Sequence, residues 1–257
     1  MHTFFFGKKR LYGVYHEANP DCQKNSGIVL CHPVGLEYIR CYWAIKQLAV
    51  ALAREGYHVI RFDYSHTGNS AGESNEADVD MWCEDIVAAL QELQDIAAPT
   101  YISLVGLRFG ALLAAKVSET YSLKKLILWE PVVSGVEHLQ QLQSLNAGEH
   151  QNKSRYIQSR NLDPNEIDFL GFPYPAILRE SMSKEFLAPK KIGAQKVIII
   201  DEAESVELKQ AVLSWRKQNI EVDFAETKEP GNWNNQRLLN VAFLPTNTLD
   251  IIVNKIQ

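Results

Sequence analysis

Arg108 stands in the run VGLRFGA (Val105–Ala111), between two glycines, where an apolar strand-like stretch gives way to a helical one. A guanidinium there stays protonated, has no nucleophilic atom at neutral pH, and presents a planar fork suited to carboxylate or phosphate. Cys31 and His32, adjacent at the end of another apolar run, carry the atoms of a thiolate–imidazole pair. Neighbouring strand residues point to opposite faces, however, so a buried structural cysteine is the plainer reading. Ser70 lies in Gly68-Asn69-Ser70-Ala71-Gly72, which spells the serine-nucleophile pattern G-x-S-x-G. No strand runs into that segment, so its bland reading is a loop-capping hydroxyl. In the same loop Asp63 reads as an acceptor of backbone N–H bonds and His66 as part of the loop's architecture. No His/Cys/Asp/Glu cluster has metal-ligand spacing and no glycine-rich phosphate loop follows a strand, so no metal or other cofactor is expected.

The elements that must position these residues alternate. Strands are expected at Thr3–Phe6, Arg10–His16, Gly27–His32, Tyr57–Asp63, Tyr101–Gly106, Lys125–Glu130, Lys196–Asp201 and Ile220–Phe224. Helices are expected at Ile39–Glu55, Ala77–Ile96, Arg108–Thr120, Ser205–Gln218 and Thr246–Ile256. Two opening strands followed by strict alternation imply an α/β protein: a mostly parallel, doubly wound sheet with helices on both faces and a hairpin at one edge. Between Pro131 and Pro189 the alternation breaks into a polar, glutamine-rich stretch, with helical patterns at Val136–Leu145 and Tyr156–Arg160 and then Gly-Phe-Pro-Tyr-Pro. Residues 1–135 and 190–257 are expected to form one core and 136–189 a helical cap at the carboxyl edge of the sheet, where such folds bind ligands.

A chain of 257 residues that is 46% hydrophobic can bury one good core. Its formal net charge of -5 provides no basic footprint for nucleic acid or an anionic membrane. No stretch approaches roughly 18 uninterrupted apolar residues, and the N-terminus lacks the pattern of a secretory signal. Cys22, Cys31, Cys41 and Cys83 show no C-x-x-C pair, so reduced thiols in a cytoplasm are expected.

Three segments carry a resemblance. GIVLCHPVG (Gly27–Gly35) looks like the strand and His-Pro turn that supplies an oxyanion-hole amide in the α/β-hydrolase superfamily, especially its serine-aminopeptidase-like and thioesterase-like members. YHVIRFDYSHTGNSAG (Tyr57–Gly72) is similar to that superfamily's next strand and loop, and Val105–Ala111 to its G-x-S-x-G elbow, with Arg108 in the serine's place. The G-L-R-x-G elbow is also similar to a branch of exosortase-associated hydrolase-like proteins. The resemblance implies an acid after the strand ending at Asp201, where Asp201, Glu202 and Glu204 are available, and a base after Phe224. No histidine follows His150. Two of three triad positions thus depart from the pattern.

The same resemblance places Arg108 at a helix N-terminus, between the strands ending at His32 and Glu130, where backbone amides already favour an anion. The leading expectation is a pocket centred on Arg108 that binds or processes a small acyl-type metabolite (ester, thioester or carboxylate). Val34, Phe109, Glu130, His66 and Trp129 would contact it, with Phe172 and Tyr174 beneath the cap. The opposing expectation is that Glu130 neutralises Arg108 as a buried ion pair, because an unpaired buried arginine is costly. Two alternatives stay open: a hydrolase or acyltransferase with Cys31 or Ser70 as nucleophile, and a pseudoenzyme scaffold for a protein partner.

Overall fold

The computed structural model describes residues 1–72, 76–153, 166–188, 191–235, 238 and 241–257, with only the backbone of 148–153 and 166. The helical pattern expected at Tyr156–Arg160 and the side chain of His150 lie outside the described residues.

β-Branched and aromatic runs form eight strands of one sheet: β1 (His2–Phe6), β2 (Leu11–His16), β3 (Ser26–Cys31), β4 (His58–Phe62), β5 (Tyr101–Leu107), β6 (Leu123–Trp129), β9 (Ala194–Asp201) and β10 (Glu221–Glu226). Their order is β1-β2-β4-β3-β5-β6-β9-β10. The edge hairpin β1–β2 and the β2–β4 pair are antiparallel, and all pairs from β4 to β10 are parallel. Six helices connect or cover them: α1 (Leu36–Arg54), α2 (Val79–Ala97), α3 (Phe109–Val117), α4 (Gly135–Lys153), α6 (Val206–Arg216) and α7 (Thr246–Ile256).

Side-chain alternation along each central strand divides the core in two. Val29 and Cys31 of β3, Leu104 of β5 and Ile199 of β9 face α2, α3 and α6. Ile28 and Leu30, Val105 and Leu107, and Ile198 and Ile200 face α1 and α7. Both faces are buried, which is why these strands read as continuous apolar runs and not as alternating ones.

Between β6 and β9 the chain forms α4, a two-stranded hairpin of β7 (Glu166–Phe169) and β8 (Phe172–Pro175), and α5 (Ala176–Ser183). Sequence patterning does not anticipate this hairpin, because β8 contains two prolines. An isolated pair tolerates them, since neither strand has a second neighbour needing their absent N–H groups. Leu170 and Gly171, with φ of 58° and 91°, make its turn. Helix α4 runs well past the expected Leu145; its polar sequence has little periodicity to mark where it ends. Among the described residues no helix is long and apolar enough to cross a membrane.

Candidate functional site

The central parallel strands deliver their carboxyl ends to one edge of the sheet, and the turn from β5 into α3 is the sharpest feature there. Arg108 occupies it with φ 54° and ψ -122°, a conformation that costs a side-chain-bearing residue on the order of 1–3 kcal/mol. Two glycines make the turn fit. A Cβ on Gly106 would meet the backbone of Ala111, and one on Gly110 would meet the carbonyl oxygens of Cys31 and His32. The turn is held by Arg108 N–H donating to the Trp129 carbonyl (3.0 Å) and by its own carbonyl accepting from Val132 N–H (3.2 Å).

The guanidinium does not pair with the Glu130 carboxylate, contrary to the ion pair expected above. Its Nε donates to Oε1 of Glu37 at 3.1 Å, and its Nη1 donates to the backbone carbonyl of Glu130 at 3.2 Å. Glu130 has φ 42°, and its carboxylate instead accepts from Trp233 Nε1 at 2.8 Å and from Gly231 N–H at 3.2 Å. That anchor ties down the loop following β10 and places Asn234, whose Nδ2 donates to Oε1 of Glu37 at 2.7 Å. Burial opposes the charge on Arg108, but Glu37, Glu130 and Asp201 outweigh it, so its pKa lies above the usual arginine value. Burial pushes the Glu130 carboxyl up, with Arg108 and Trp233 pulling against it.

Glu37 sits in the first turn of α1 and is 1% exposed. One oxygen is held by Arg108 and Asn234; the other, Oε2, is buried without a hydrogen-bond partner among the described residues. His138 of α4 is also buried, and its ring stacks on Phe109, next to Arg108, at 5.8 Å and 24°. Its Nδ1 has no partner among the described residues. Burial drives its pKa down to about 4, the Glu37 charge raising it and Arg108 lowering it, so the ring is neutral at pH 7. Arg108 and His138 together line a cavity of about 380 Å³ with Val132, Ser134, Ser205 and Glu207.

A second cavity, of about 280 Å³, opens beside the turn after β3. Val34, His66, Trp82, Phe172 and Tyr174 are among its walls. Phe109 and Trp129 are fully buried and line neither cavity; Trp129 packs edge-on against Trp233 in the α1/α7 core.

The other candidates have structural environments. Cys31 is fully buried, and burial together with the nearby Cys83 pushes its thiol far above the usual range. Both ring nitrogens of His32 lie against backbone carbonyls, Nδ1 at 2.7 Å from Pro33 and Nε2 at 2.6 Å from Phe62, so neither is turned to Cys31. Ser70 Oγ donates to the Asp63 carbonyl (2.6 Å) and accepts from Tyr12 N–H (2.9 Å), tying its loop to β2. Asp63 accepts from Asn69 N–H and from the Tyr38 hydroxyl, both at 2.8 Å. His66 packs where Gly72 lacks a side chain. Thiol labelling of the folded protein at neutral pH is expected to mark exposed Cys22 rapidly and Cys31 only after unfolding. Rapid labelling of Cys31 in the native state would restore it as a nucleophile.

Sequence reasoning missed Glu37, His138 and Asn234. Glu37 precedes the helix expected from Ile39, and in the first turn of α1 it would still read only as a partner of the helix dipole. His138 lies in a helical pattern too polar to show which face is buried, and Asn234 in a loop rich in asparagine.

The chain matches the family described as serine aminopeptidase, S33, over residues 24–183. A search of curated proteins finds no match. Among solved structures it is similar to Est1E from Butyrivibrio proteoclasticus with ferulic acid bound, at 14% identity, TM-score 0.65, and coverage of 98% of this chain and 99% of that one. It is similar to an esterase of Pyrococcus furiosus (16% identity, TM-score 0.63, 98% and 87% covered). Mouse alpha/beta hydrolase domain-containing protein 10 is a third (17% identity, TM-score 0.58, each chain fully covered). The fold is the α/β-hydrolase fold.

Proposed function

Because this chain belongs to the serine aminopeptidase S33 family, we propose that it keeps that family's frame while using the elbow as a binding group and not as a nucleophile. The ligand is a small acyl-type metabolite, its carbonyl oxygen held by Arg108 and its body lying in the 380 Å³ cavity. Helix α4, which belongs to the expected cap, closes one side of it through Glu137, His138 and Gln141. One observation carries this reading: Arg108 faces that cavity, with Nε and Nη1 engaged by Glu37 and the Glu130 carbonyl. Among the described residues nothing accepts from its Nη2. A charge-assisted hydrogen bond to a carbonyl is therefore open to a ligand. Glu37, Glu130 and Asp201 already balance the guanidinium, and Glu207 stands at the cavity wall, so a neutral ester or thioester carbonyl is favoured over a free carboxylate. The four free cysteines accord with a reducing cytoplasm.

Arg108→Lys keeps a cation beside Glu37 but removes the planar fork. Binding of butyryl-CoA and of ethyl butyrate, followed by ligand-observed NMR and calorimetry, is expected to weaken about tenfold or more, in line with the roughly 1.5–3 kcal/mol of a hydrogen bond to a charged group. Unchanged affinity in Arg108→Lys, or no binding by the parent protein, would refute the reading.

A further inference from the structure

No histidine stands in the loop after β10, but one reaches the elbow from elsewhere in the fold. His138 comes from α4, lines the same cavity as Arg108, and is clamped in place by Phe109. Among the described residues its Nδ1 is buried without a partner, and so is Oε2 of Glu37, whose charge acts on the ring. These two unsatisfied atoms are complementary: a carboxylate oxygen needs a donor, and a neutral imidazole protonated at Nδ1 supplies one. Leaving a buried polar atom unpaired costs on the order of 1–3 kcal/mol, more for a carboxylate, so there is a driving force for the two to meet. Oε1 of Glu37 is already fixed by Arg108 and Asn234, which leaves Oε2 as its available acceptor. Catalytic hydrogen bonds are often open in the unliganded state and close in the complex.

We propose that Glu37 and His138 form a general-base dyad beside Arg108, and that the protein hydrolyses a small ester or thioester by direct attack of water, with no acyl-enzyme. The inference rests on the acyl-carbonyl reading of the cavity. Glu37, a positioning residue, holds the Nδ1–H tautomer, which leaves the Nε2 lone pair of His138 for the cavity. Water gives a proton to Nε2 as its oxygen bonds to the carbonyl carbon, and the carbonyl π electrons move onto the oxygen facing Arg108. The tetrahedral intermediate then collapses, breaking the bond to the alkoxide or thiolate, which takes the proton back from Nε2. One water is consumed; a carboxylic acid and an alcohol or thiol are released. A guanidinium aimed at the developing oxyanion performs the role that backbone amides play in serine hydrolases.

The groups acting on His138 are Glu37 from α1 and Arg108 from the elbow, with Glu137 and Glu207 lining the cavity that Arg108 and His138 share. Since burial holds the ring's pKa near about 4, turnover is expected to be level through neutral pH and to fall as the ring protonates toward pH 4. Glu37→Gln removes the charge that raises that pKa, so the acidic limb should move to lower pH. That shift follows from the charge alone; the hydrogen bond to Nδ1 is what the tautomer of His138 reports.

The test is saturable hydrolysis of p-nitrophenyl butyrate and butyryl-CoA, with folding of each variant checked by circular dichroism. The parent protein should turn over without a burst of p-nitrophenol. His138→Asn should lose kcat by about 100-fold or more with KM little changed. Nitrogen-15 NMR of the parent should show His138 protonated at Nδ1, and Glu37→Gln should weaken that preference. Absent parental turnover, full activity in His138→Asn, or His138 protonated at Nε2 would overturn the dyad. If Arg108→Lys still weakens binding in those cases, the acyl-binding reading stands alone; if it does not, both fall.

Discussion

Replacing Arg108 with methionine is expected to destabilise the fold by about 3–5 kcal/mol, the cost of leaving one member of a buried ion pair behind. The charge left behind is that of Glu37, whose side chain is 2% exposed and would keep only Asn234 on one oxygen. Equilibrium urea unfolding of the full chain measures the loss, with the denaturant slope checked for a change in the unfolding transition. The mechanism has a second signature. In the double variant Arg108→Met with Glu37→Gln the stranded charge is gone, so the double should be more stable than Arg108→Met alone, a non-additivity expected of contacting groups. A loss below about 1 kcal/mol, or simple additivity, would mean that the pair is solvated and that the elbow does not depend on it.

Gly110→Ala is expected to be comparably severe for a different reason. Its Cβ would collide with the carbonyl oxygens of Cys31 and His32, backbone atoms at the end of β3 and just past it that no rotamer change can move aside. Overpacking of a flexible core costs about 1–3 kcal/mol; against rigid strand backbone a loss of at least about 3 kcal/mol is expected. For a chain of this size that lowers the melting temperature by roughly 6–12 °C. A melting temperature within about 2 °C of the parent would show that α3 can withdraw from β3, and that the elbow is looser than its geometry implies.

These predictions depend on one charge that was hard to find and one glycine that was easy. Gly110 is legible as one of two glycines flanking Arg108 at a strand-to-helix turn, although the backbone it approaches, that of Cys31 and His32, is decided by the fold. Glu37 is not, because nothing near it in the chain announces a partner 71 residues away. The strand–helix alternation was legible for the same reason as Gly110: side-chain period and turn chemistry are local. The hairpin β7–β8 was not, since its prolines argue against a strand until it is known to stand apart from the main sheet.

The amino-acid sequence by itself determined the α/β frame, the order in which its segments enter it, and the presence of a cation, Arg108, at the turn after β5. Each follows from residue types within a few positions of one another. The tertiary structure decided which groups meet that cation. Glu130 was the reasonable partner from strand order, but a positive φ turns its carboxylate to Trp233 and Gly231. Glu37, Asn234 and His138 reach the elbow from α1, the loop after β10 and α4. Partners so far apart in the chain are selected by how the helices pack on the sheet, and by the need to satisfy charge once water is excluded; neither leaves a local trace in the sequence.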